Sequence, residues 1–171
     1  MQKLQLSLAI IKPHAVKNPV ALSYIRNVIK NTFVVVKTKR ILLDKETAGN
    51  FYKEHVEKFF YNRLVTFMAS GSIDLHIIGH TNAIDLWRRM LGPTKVYHAQ
   101  FKEPYCLRGM FGISDTRNVA HGSDSEVSAE REIKFFFPDF SFHNWHEHEE
   151  VTYRKGPIIF NHHLFQHVRR L

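Results

Sequence analysis

The sequence predicts an α/β (α+β) fold, a ferredoxin-like sandwich in which helices cover a four-stranded antiparallel sheet. The first observation is that apolar runs rich in Val and Ile alternate with amphipathic segments, in the order strand–helix–strand repeated twice. The second is size, because 171 residues with 44% apolar and 23% charged side chains suit one globular domain with a core. The third is the lack of internal repeats and low-complexity linkers.

The elements of the first half follow from apolar periodicity and from helix-capping residues. Pro19 suits the first turn of a helix, and apolar residues recur after it at helical spacing. Asp44 can cap the next helix through its carboxylate. The predicted elements are strands at 4–11 and 33–43 and helices at 19–31, 44–55 and 63–69.

The second half carries two more strands and two more capped helices. Asn82 can cap one helix, and Ser123-Asp124-Ser125-Glu126 has the S-x-x-E form of a capping box that opens the other. Residues 92–110 show no clear period, which predicts a long surface loop. The predicted elements are strands at 73–79 and 117–121 and helices at 82–90 and 123–133.

The C-terminal segment is aromatic and rich in histidine, and its pattern assigns no element. We therefore predict one domain over residues 1–137 and a C-terminal extension over residues 138–171, which packs on that domain or trails from it. His143, His146 and His148 lie close together in sequence, but their spacing is not a standard zinc pattern and no cysteine joins them. A solvated or interface segment is therefore favoured over a metal site.

The charge balance is strongly basic, with 24 Lys and Arg against 16 Asp and Glu, a net charge of +8. Such an excess attracts anionic ligands, including nucleotides, nucleic acids and acidic proteins, without selecting one of them. Cys106 is the only cysteine, so an internal disulfide is excluded and a reducing intracellular compartment, cytoplasmic or mitochondrial, is expected. No apolar run approaches the roughly 18–20 residues of a membrane helix, and no targeting segment is visible, so a soluble protein without a membrane partner is expected.

The strongest local signal for chemistry is the segment from Arg117 to Ser125, in which a predicted strand ends at His121 and Gly122 turns the chain into a capped helix. A nucleophile at such a turn is exposed yet held by rigid elements on both sides. The helix N-terminus beside it offers backbone N–H donors to a phosphoryl group. Neutral histidine is nucleophilic and well populated near neutral pH. Taken alone, however, a histidine before a glycine is more often an ordinary turn residue.

Several further motifs change that balance because they occur in a characteristic order. They are Lys12-Pro13, Phe51-Tyr52-Lys53-Glu54-His55, Phe60, Phe67-Met68-Ala69-Ser70-Gly71, Arg88-Arg89-Met90-Leu91-Gly92-Pro93-Thr94, Leu107-Arg108-Gly109, and Arg117-Asn118 to Asp124. In these motifs residues 4–137 resemble the nucleoside diphosphate kinases. The resemblance implies a phosphotransferase that works by ping-pong transfer, in which a nucleoside triphosphate phosphorylates His121 and a nucleoside diphosphate then accepts the phosphate.

The resemblance also implies a role for each matching residue. His121 would be the nucleophile, with Lys12 and Tyr52 beside the transferring phosphate. Ser123 and Glu132 would orient the imidazole and fix its tautomer. The outer phosphates, the ribose and the base would be bound by Arg88, Thr94, Arg108, Asn118, Phe60 and Leu64. The stacking of a base on an aromatic ring predicts weak selectivity among bases.

A magnesium ion is expected together with ATP or another nucleoside triphosphate, held mainly by phosphate oxygens and water. Asp124 and Glu54 are the candidates to contact its waters; the alternative is that both are ordinary surface acids. The expected partners are nucleoside di- and triphosphates, with a homo-oligomer or a protein partner left open. Nucleic-acid binding is expected to be incidental at most, because no recognisable nucleic-acid-binding motif is present.

The sequence departs from the family pattern at four places. His14 stands where the family usually has Asp, which puts stability or loop order in question more than chemistry. Asn18 replaces a commonly basic residue, and Phe59 replaces a proline beside the predicted base site. The stretch at 95–107 is longer than usual, and a misplacement of Arg108 by about 1 Å could cost ~10²-fold in rate. These departures leave open an alternative function, a weakly active or inactive nucleotide-binding or scaffold member that acts through a protein partner.

Overall fold

The computed structural model describes residues 2–170 and contains the predicted four-stranded antiparallel sheet with helices on it. Its strands are β1 (Gln5–Ile11), β2 (Val34–Leu42), β3 (Ser72–His80) and β4 (Ala120–Gly122), in the spatial order β2-β3-β1-β4. Strand β1 is central and pairs antiparallel with both β3 and β4. This arrangement confirms the predicted fold class and places the short strand β4 at one edge of the sheet.

The sheet has a buried core on each face, because side chains alternate along β1. Leu8 and Ile10 point into one core, whereas Ala9 and Ile11 point into the other. Both faces are covered, which explains why β1 is apolar almost throughout rather than alternating.

Different sets of helices cover the two faces of the sheet. The helices are α1 (Pro13–Lys17), α2 (Pro19–Thr32), α3 (Lys45–Phe51), α4 (Tyr61–Met68), α5 (Ala83–Leu91), α6 (Val96–Lys102), α7 (Leu107–Phe111) and α8 (Glu126–Phe136), with a 3₁₀ turn at Lys53–His55. Helices α3, α4 and α8 supply one core, and α2 and α5 supply the other. The Asp44 carboxylate caps α3 as predicted, accepting from the N–H of Thr47 at 2.6 Å.

Several local predictions are wrong. Residues 92–110 are not a loop, since α6 and α7 lie within them, and the helix that begins after Asp44 ends at Phe51 rather than near residue 55. The fourth strand covers Ala120–Gly122 instead of 117–121. Helix α8 is capped by Ser125, whose hydroxyl accepts from Ser128 N–H, so Ser123 does not cap it.

Asn82 stands at the N-terminus of α5, but its side chain does not cap that helix. Instead, its backbone N–H donates to His80 Nδ1 at 3.0 Å, and its amide donates to Asp85 at 3.3 Å. The start of α5 was therefore predicted correctly, while the capping interaction was not.

The residues after 137 pack on the same core. They form α9 (Phe142–Asn144), a π-helical turn (Trp145–Glu149), α10 (Glu150–Lys155) and a hairpin of β5 (Ile158–Asn161) and β6 (Gln166–Arg169). The hairpin lies along β2, where Val35 N–H donates to His167 Nδ1 and the Thr38 hydroxyl donates to the carbonyl of Phe165. Within residues 2–170, no helix is long and apolar enough to cross a membrane.

Candidate active site

His121 lies in the middle of β4, opposite Ile10 of β1, rather than at the end of a strand. Trp87 fixes its backbone by donating an indole N–H to the His121 carbonyl at 3.0 Å. A Cβ on Gly122 would lie 2.5 Å from the Trp87 ring, so that approach requires glycine. Val119, just before the strand, has a φ of 79°, an uncommon conformation for a β-branched residue. The histidine is therefore held by a tightly constrained strand.

The imidazole of His121 is part of a hydrogen-bonded chain with Glu132 and Ser123. Nε2 of His121 is 2.9 Å from Oε2 of Glu132, and the Ser123 hydroxyl donates to the same oxygen at 2.6 Å. The Ser123 oxygen in turn accepts from the N–H of Leu8 at 3.1 Å. An ionised carboxylate only accepts hydrogen bonds, so Nε2 carries the proton and the lone pair of Nδ1 is left for chemistry.

Lys12 follows β1 directly and is buried together with Asn118. Its ammonium donates to Oδ1 of Asn118 at 2.6 Å, and its backbone N–H donates to the carbonyl of Val119. Burial, with a smaller contribution from the positive charge of Arg108, lowers the pKa of Lys12 to about 7. A charged and a neutral form of this lysine are therefore both accessible near neutral pH.

Arg108 is brought beside Asn118 by α7 and is held there by three backbone carbonyls. Its guanidinium donates to Asn118 O at 3.2 Å, Gly92 O at 2.8 Å and Ala120 O at 3.1 Å. Burial, assisted by the charge of Arg88, lowers the pKa of Arg108 to about 10. Of its five N–H groups, three are used in this anchoring, so two remain for a ligand. The long segment before Arg108 thus ends in a rigid anchor.

Arg88, Thr94 and Asp124 are all exposed. The backbone carbonyl of Thr94 accepts from the side-chain amide of Asn118 at 3.4 Å, so the Thr94 hydroxyl takes no part in that bond. Hydrogen bonds from Ser128 and Ser125 lower the pKa of Asp124, with a further contribution from the charge of Arg88.

Tyr52 is buried beside this constellation, and its hydroxyl has no hydrogen-bond partner among residues 2–170. Burial raises its pKa, as does the negative charge of Glu132, so the phenol remains protonated. Phe51, its neighbour in sequence, packs edge-on against the His121 ring at 5.7 Å between centroids. The hydroxyl is thus a donor without a protein acceptor.

The family model described as nucleoside diphosphate kinase matches residues 5–142. Nucleoside diphosphate kinase 6 of Homo sapiens is 50% identical over 161 residues, covering 94% of this chain and 87% of that protein. The chain belongs to the nucleoside diphosphate kinase family. Phosphoryl transfer between nucleotides is the function that the family, the fold and these relatives support.

Other relatives place the chain within the same family. Nucleoside diphosphate kinase 6 of Xenopus tropicalis is 44% identical over 168 residues, covering 98% of this chain and 94% of that protein. Nucleoside diphosphate kinase of Methanocaldococcus jannaschii is 41% identical over 129 residues, covering 75% and 90%. The crystal structure of Aquifex aeolicus nucleoside diphosphate kinase superposes with a TM-score of 0.74 at 32% identity, covering 82% of this chain and 97% of that chain.

The two predicted base-binding residues of this nucleoside diphosphate kinase differ in exposure. Leu64 is 8% exposed and belongs to the core, whereas Phe60 is partly exposed. The Phe60 ring lies 5.6 Å from both the His55 and the Phe59 rings. Phe59 is 89% exposed. One exposed aromatic ring, that of Phe59, therefore lies beside the predicted base site.

The two acids predicted to contact magnesium are in different surroundings. Glu54 is paired with Arg131 at 3.3 Å, whereas Asp124 is exposed and hydrogen-bonded only within its own helix start. An exposed carboxylate fits the oxygen-rich coordination of Mg²⁺, and a carboxylate engaged by a guanidinium fits it less well. Within residues 2–170, no group of three or more His, Cys, Asp or Glu side chains is arranged to hold a metal ion.

Arg89 and His14 complete the surroundings of the site. Arg89 pairs with Asp85 at 3.0 Å, one turn away on α5. Both ring nitrogens of His14 are buried, and neither makes a hydrogen bond of good geometry within residues 2–170. Burial lowers the pKa of His14 to about 4, against an opposing contact with the backbone of Phe111, and the charges of Lys12 and Arg117 lower it further. The ring at this position is therefore neutral near pH 7.

Sequence reasoning missed Trp87 and Arg131. Trp87 lies within the helix predicted at 82–90, but nothing in the sequence indicates that its indole N–H reaches the carbonyl of His121. No sequence pattern indicated a role for Arg131, because its partner Glu54 lies on a different element.

Proposed function

We propose that this nucleoside diphosphate kinase transfers the γ-phosphate of a nucleoside triphosphate to Nδ1 of His121 and then from His121 to a nucleoside diphosphate. The observation that carries the proposal is the chain from Ser123 through Glu132 to Nε2 of His121, which leaves Nδ1 as the unprotonated nitrogen. A carboxylate that orients a histidine in this way is a common device for preparing a nucleophile.

In the first half-reaction, the Nδ1 lone pair of His121 forms a bond to the γ-phosphorus while the bond from phosphorus to the β–γ bridging oxygen breaks. The nucleoside diphosphate leaves with the electron pair of that bond. The imidazole keeps its Nε2 proton and gains a positive charge, which the Glu132 carboxylate at 2.9 Å compensates. In the second half-reaction, a β-phosphate oxygen of another nucleoside diphosphate takes the phosphoryl group and His121 returns to its neutral form.

The cationic and hydroxyl donors around His121 are proposed to meet the phosphate charge. Lys12 and Tyr52 are proposed to contact the transferring phosphate, and Arg88, Thr94 and Arg108 the outer phosphates. Asn118 is proposed to bind the ribose, with Phe60 and Leu64 on the base. Planar guanidinium groups suit phosphate oxygens because they donate in pairs, and the anchoring of Arg108 reduces the entropy lost on binding.

Magnesium is proposed to accompany the nucleotide, with Asp124 contacting its waters; the ion neutralises phosphate charge when bound. Glu54 remains a candidate only if its pair with Arg131 opens. The single cysteine supports an intracellular location, cytoplasmic or mitochondrial. We further propose, on family resemblance alone, that the protein associates with itself or binds a protein partner.

The test is incubation of the protein with γ-labelled ATP and Mg²⁺, beside the His121→Ala variant, followed by a chase with a nucleoside diphosphate. We expect acid-labile, alkali-stable label on the wild type alone and its release to the diphosphate. Label that persists on His121→Ala would mean that another residue is the nucleophile. Nucleotide binding without any label on the wild type would favour the nucleotide-binding or scaffold function.

A further inference from the structure

The two carboxylate oxygens of Glu132 have different surroundings. Oε2 accepts from both His121 and Ser123, as described above. Oε1 instead faces the guanidinium of Arg131, whose Nη2 is 3.9 Å away. The other end of that guanidinium is held by Glu54, with 3.3 Å between Nη1 and Oε1. Charged side chains of alternating sign thus form a row that begins with Glu54 in the 3₁₀ turn, continues through Arg131 and Glu132 on α8, and ends at His121.

We propose that Arg131 is a positioning residue for phosphoryl transfer, acting through Glu132 on His121 and itself anchored by Glu54. The inference rests on the role proposed above for His121. Arg131 touches neither His121 nor the predicted phosphate-binding side chains. Its effect is to hold a positive charge beside the second oxygen of Glu132, which keeps the first oxygen of that carboxylate turned toward Nε2.

The location of Glu132 explains why it needs such a neighbour. A cleft of about 280 Å³ opens beside it, lined by Asn50, Phe51, Lys53, Arg131, Glu132 and Phe135. The carboxylate is almost fully buried, with 6% of its side chain exposed, so its orientation depends on the few groups around it. The titratable and charged groups that face it are His121 on β4, Tyr52 after α3 and Arg131 on its own helix, with Lys53 across the cleft.

In this arrangement Glu54 anchors Arg131, a role that does not require a metal ion. Arg131 is 40% exposed, and a long side chain at that exposure would otherwise sample many rotamers. Pairing with Glu54 restricts the guanidinium to the side on which Glu132 lies. This assignment predicts that Glu54 affects catalysis only while Arg131 is present.

The effect is expected to be modest, because pairs at this exposure are screened by water. In Arg131→Met, we expect His121 to be phosphorylated ~2–5-fold more slowly at saturating ATP. The ATP concentration for half-maximal rate should stay unchanged, because Arg131 acts on the nucleophile and not on the nucleotide. Arg131→Lys should recover most of the loss, since it restores the charge. The readout is the rate of label transfer from γ-labelled ATP to the protein, measured by rapid quench across a range of ATP concentrations.

Lys134→Met is the matched control, because Lys134 lies on the same helix and its pair with Glu130 is remote from Glu132. It should leave the rate unchanged. A loss in Arg131→Met that Arg131→Lys does not recover, or no loss at all, would overturn the proposal. If the wild-type protein takes up no label, the proposed function itself is refuted. That result differs from both outcomes above, in which the wild type is labelled.

Glu54→Gln, alone and combined with Arg131→Met, separates the ion pair from a magnesium site. We expect Glu54→Gln to slow phosphorylation in the wild-type background but to add nothing in the Arg131→Met background. The Mg²⁺ concentration for half-maximal rate should stay unchanged. A rise in that concentration in both backgrounds would assign Glu54 to magnesium instead and overturn its part in the proposal.

Discussion

At the scale of single residues, several polar groups of the site lack full protein partners where the phosphates are proposed to bind. The Tyr52 hydroxyl has no hydrogen-bond partner among residues 2–170. The buried Lys12 ammonium donates to the side-chain oxygen of Asn118, and Arg108 keeps two unused N–H groups. Each arrangement costs stability in the ligand-free protein, because a buried donor has lost its water. The same groups are already oriented for a phosphate, so binding needs little rearrangement.

Tyr52→Phe is therefore expected to change stability and activity in opposite directions. Removing a buried hydroxyl that has no partner should raise the free energy of unfolding by ~1 kcal/mol. The rate of His121 phosphorylation should fall, since a donor to the phosphate is lost. Urea unfolding of the ligand-free protein and rapid-quench labelling measure the two effects.

Tyr61→Phe is the matched control for that variant. Its hydroxyl donates to the carbonyl of Gly49 at 3.1 Å, so its removal should lower the unfolding free energy by ~1 kcal/mol and leave labelling unchanged. A loss of stability in Tyr52→Phe as large as that in Tyr61→Phe would contradict the view that the Tyr52 hydroxyl is unpaired.

Lys12 predicts that nucleotide binding is linked to proton uptake. With a pKa of about 7 in the ligand-free site, Lys12 is mostly neutral at pH 8, and phosphate oxygens favour its charged form. Binding should therefore take up close to one proton at pH 8 and weaken as the pH rises above 7. Calorimetry of ADP binding in buffers of different ionisation enthalpy measures the uptake. It should vanish in Lys12→Met and persist in Lys17→Met, an exposed lysine; a buffer-independent enthalpy in the wild type would refute the linkage.

At the scale of elements, α7 decides whether the site is complete. The long segment before it raised the question of whether Arg108 returns to the phosphate side. In the structure, α6 and α7 fill that segment, and the Cys106 sulfur accepts from Gly109 N–H at the start of α7. Arg108 is thus anchored on three carbonyls beside Asn118, and its contact with the phosphates stays a prediction.

Gly92→Ala tests the coupling between that element and the site. Gly92 has a φ of 78°, and a Cβ there would lie 2.2 Å from the Cys106 sulfur. Its carbonyl also receives Arg108, so the substitution should displace the guanidinium and lower the rate by ~10²-fold. Gly79→Ala is the control, because the nearest atom to its added Cβ is 3.5 Å away in Leu6. Equal steady-state rates in Gly92→Ala and the wild type would show that Arg108 keeps its position without Gly92.

The elements that were predicted correctly are those whose burial follows a local period. Strands β1 and β3 and helices α2 and α5 each bury a continuous run or a regular face. Strand β2 is an exception, because only Val35 and Val36 are buried in it and its Val and Ile content indicated the strand. Helices α6 and α7 were missed because few of their residues are buried, among them Val96, Ala99 and Leu107. Family motifs suggested the site residues, and the structure brings many of them together. The pair of Glu54 and Arg131 links residues 77 positions apart (131 minus 54), which no local pattern could indicate.

At the scale of the whole molecule, the C-terminal extension is part of the core rather than an appendage. Trp145 is fully buried between Phe140 and Tyr153, with ring centroids 6.2 and 5.3 Å away. Glu150, also buried, accepts the backbone N–H of Leu4 at 2.8 Å and so connects the extension to the start of β1. The extension thus contributes stability to a sheet whose opposite edge carries His121.

Trp145→Ala is expected to lower the free energy of unfolding by ~3–5 kcal/mol, the usual cost of removing a large buried aromatic side chain. Trp145→Phe should lose less, because its ring fills much of the same space. His146→Ala, at the exposed neighbouring position, should leave stability unchanged. Urea unfolding measures all three, while the rate of His121 labelling well below the unfolding midpoint should stay near that of the wild type, since Trp145 does not touch the site. A Trp145→Ala protein as stable as the wild type would show that the extension is not part of the cooperative core.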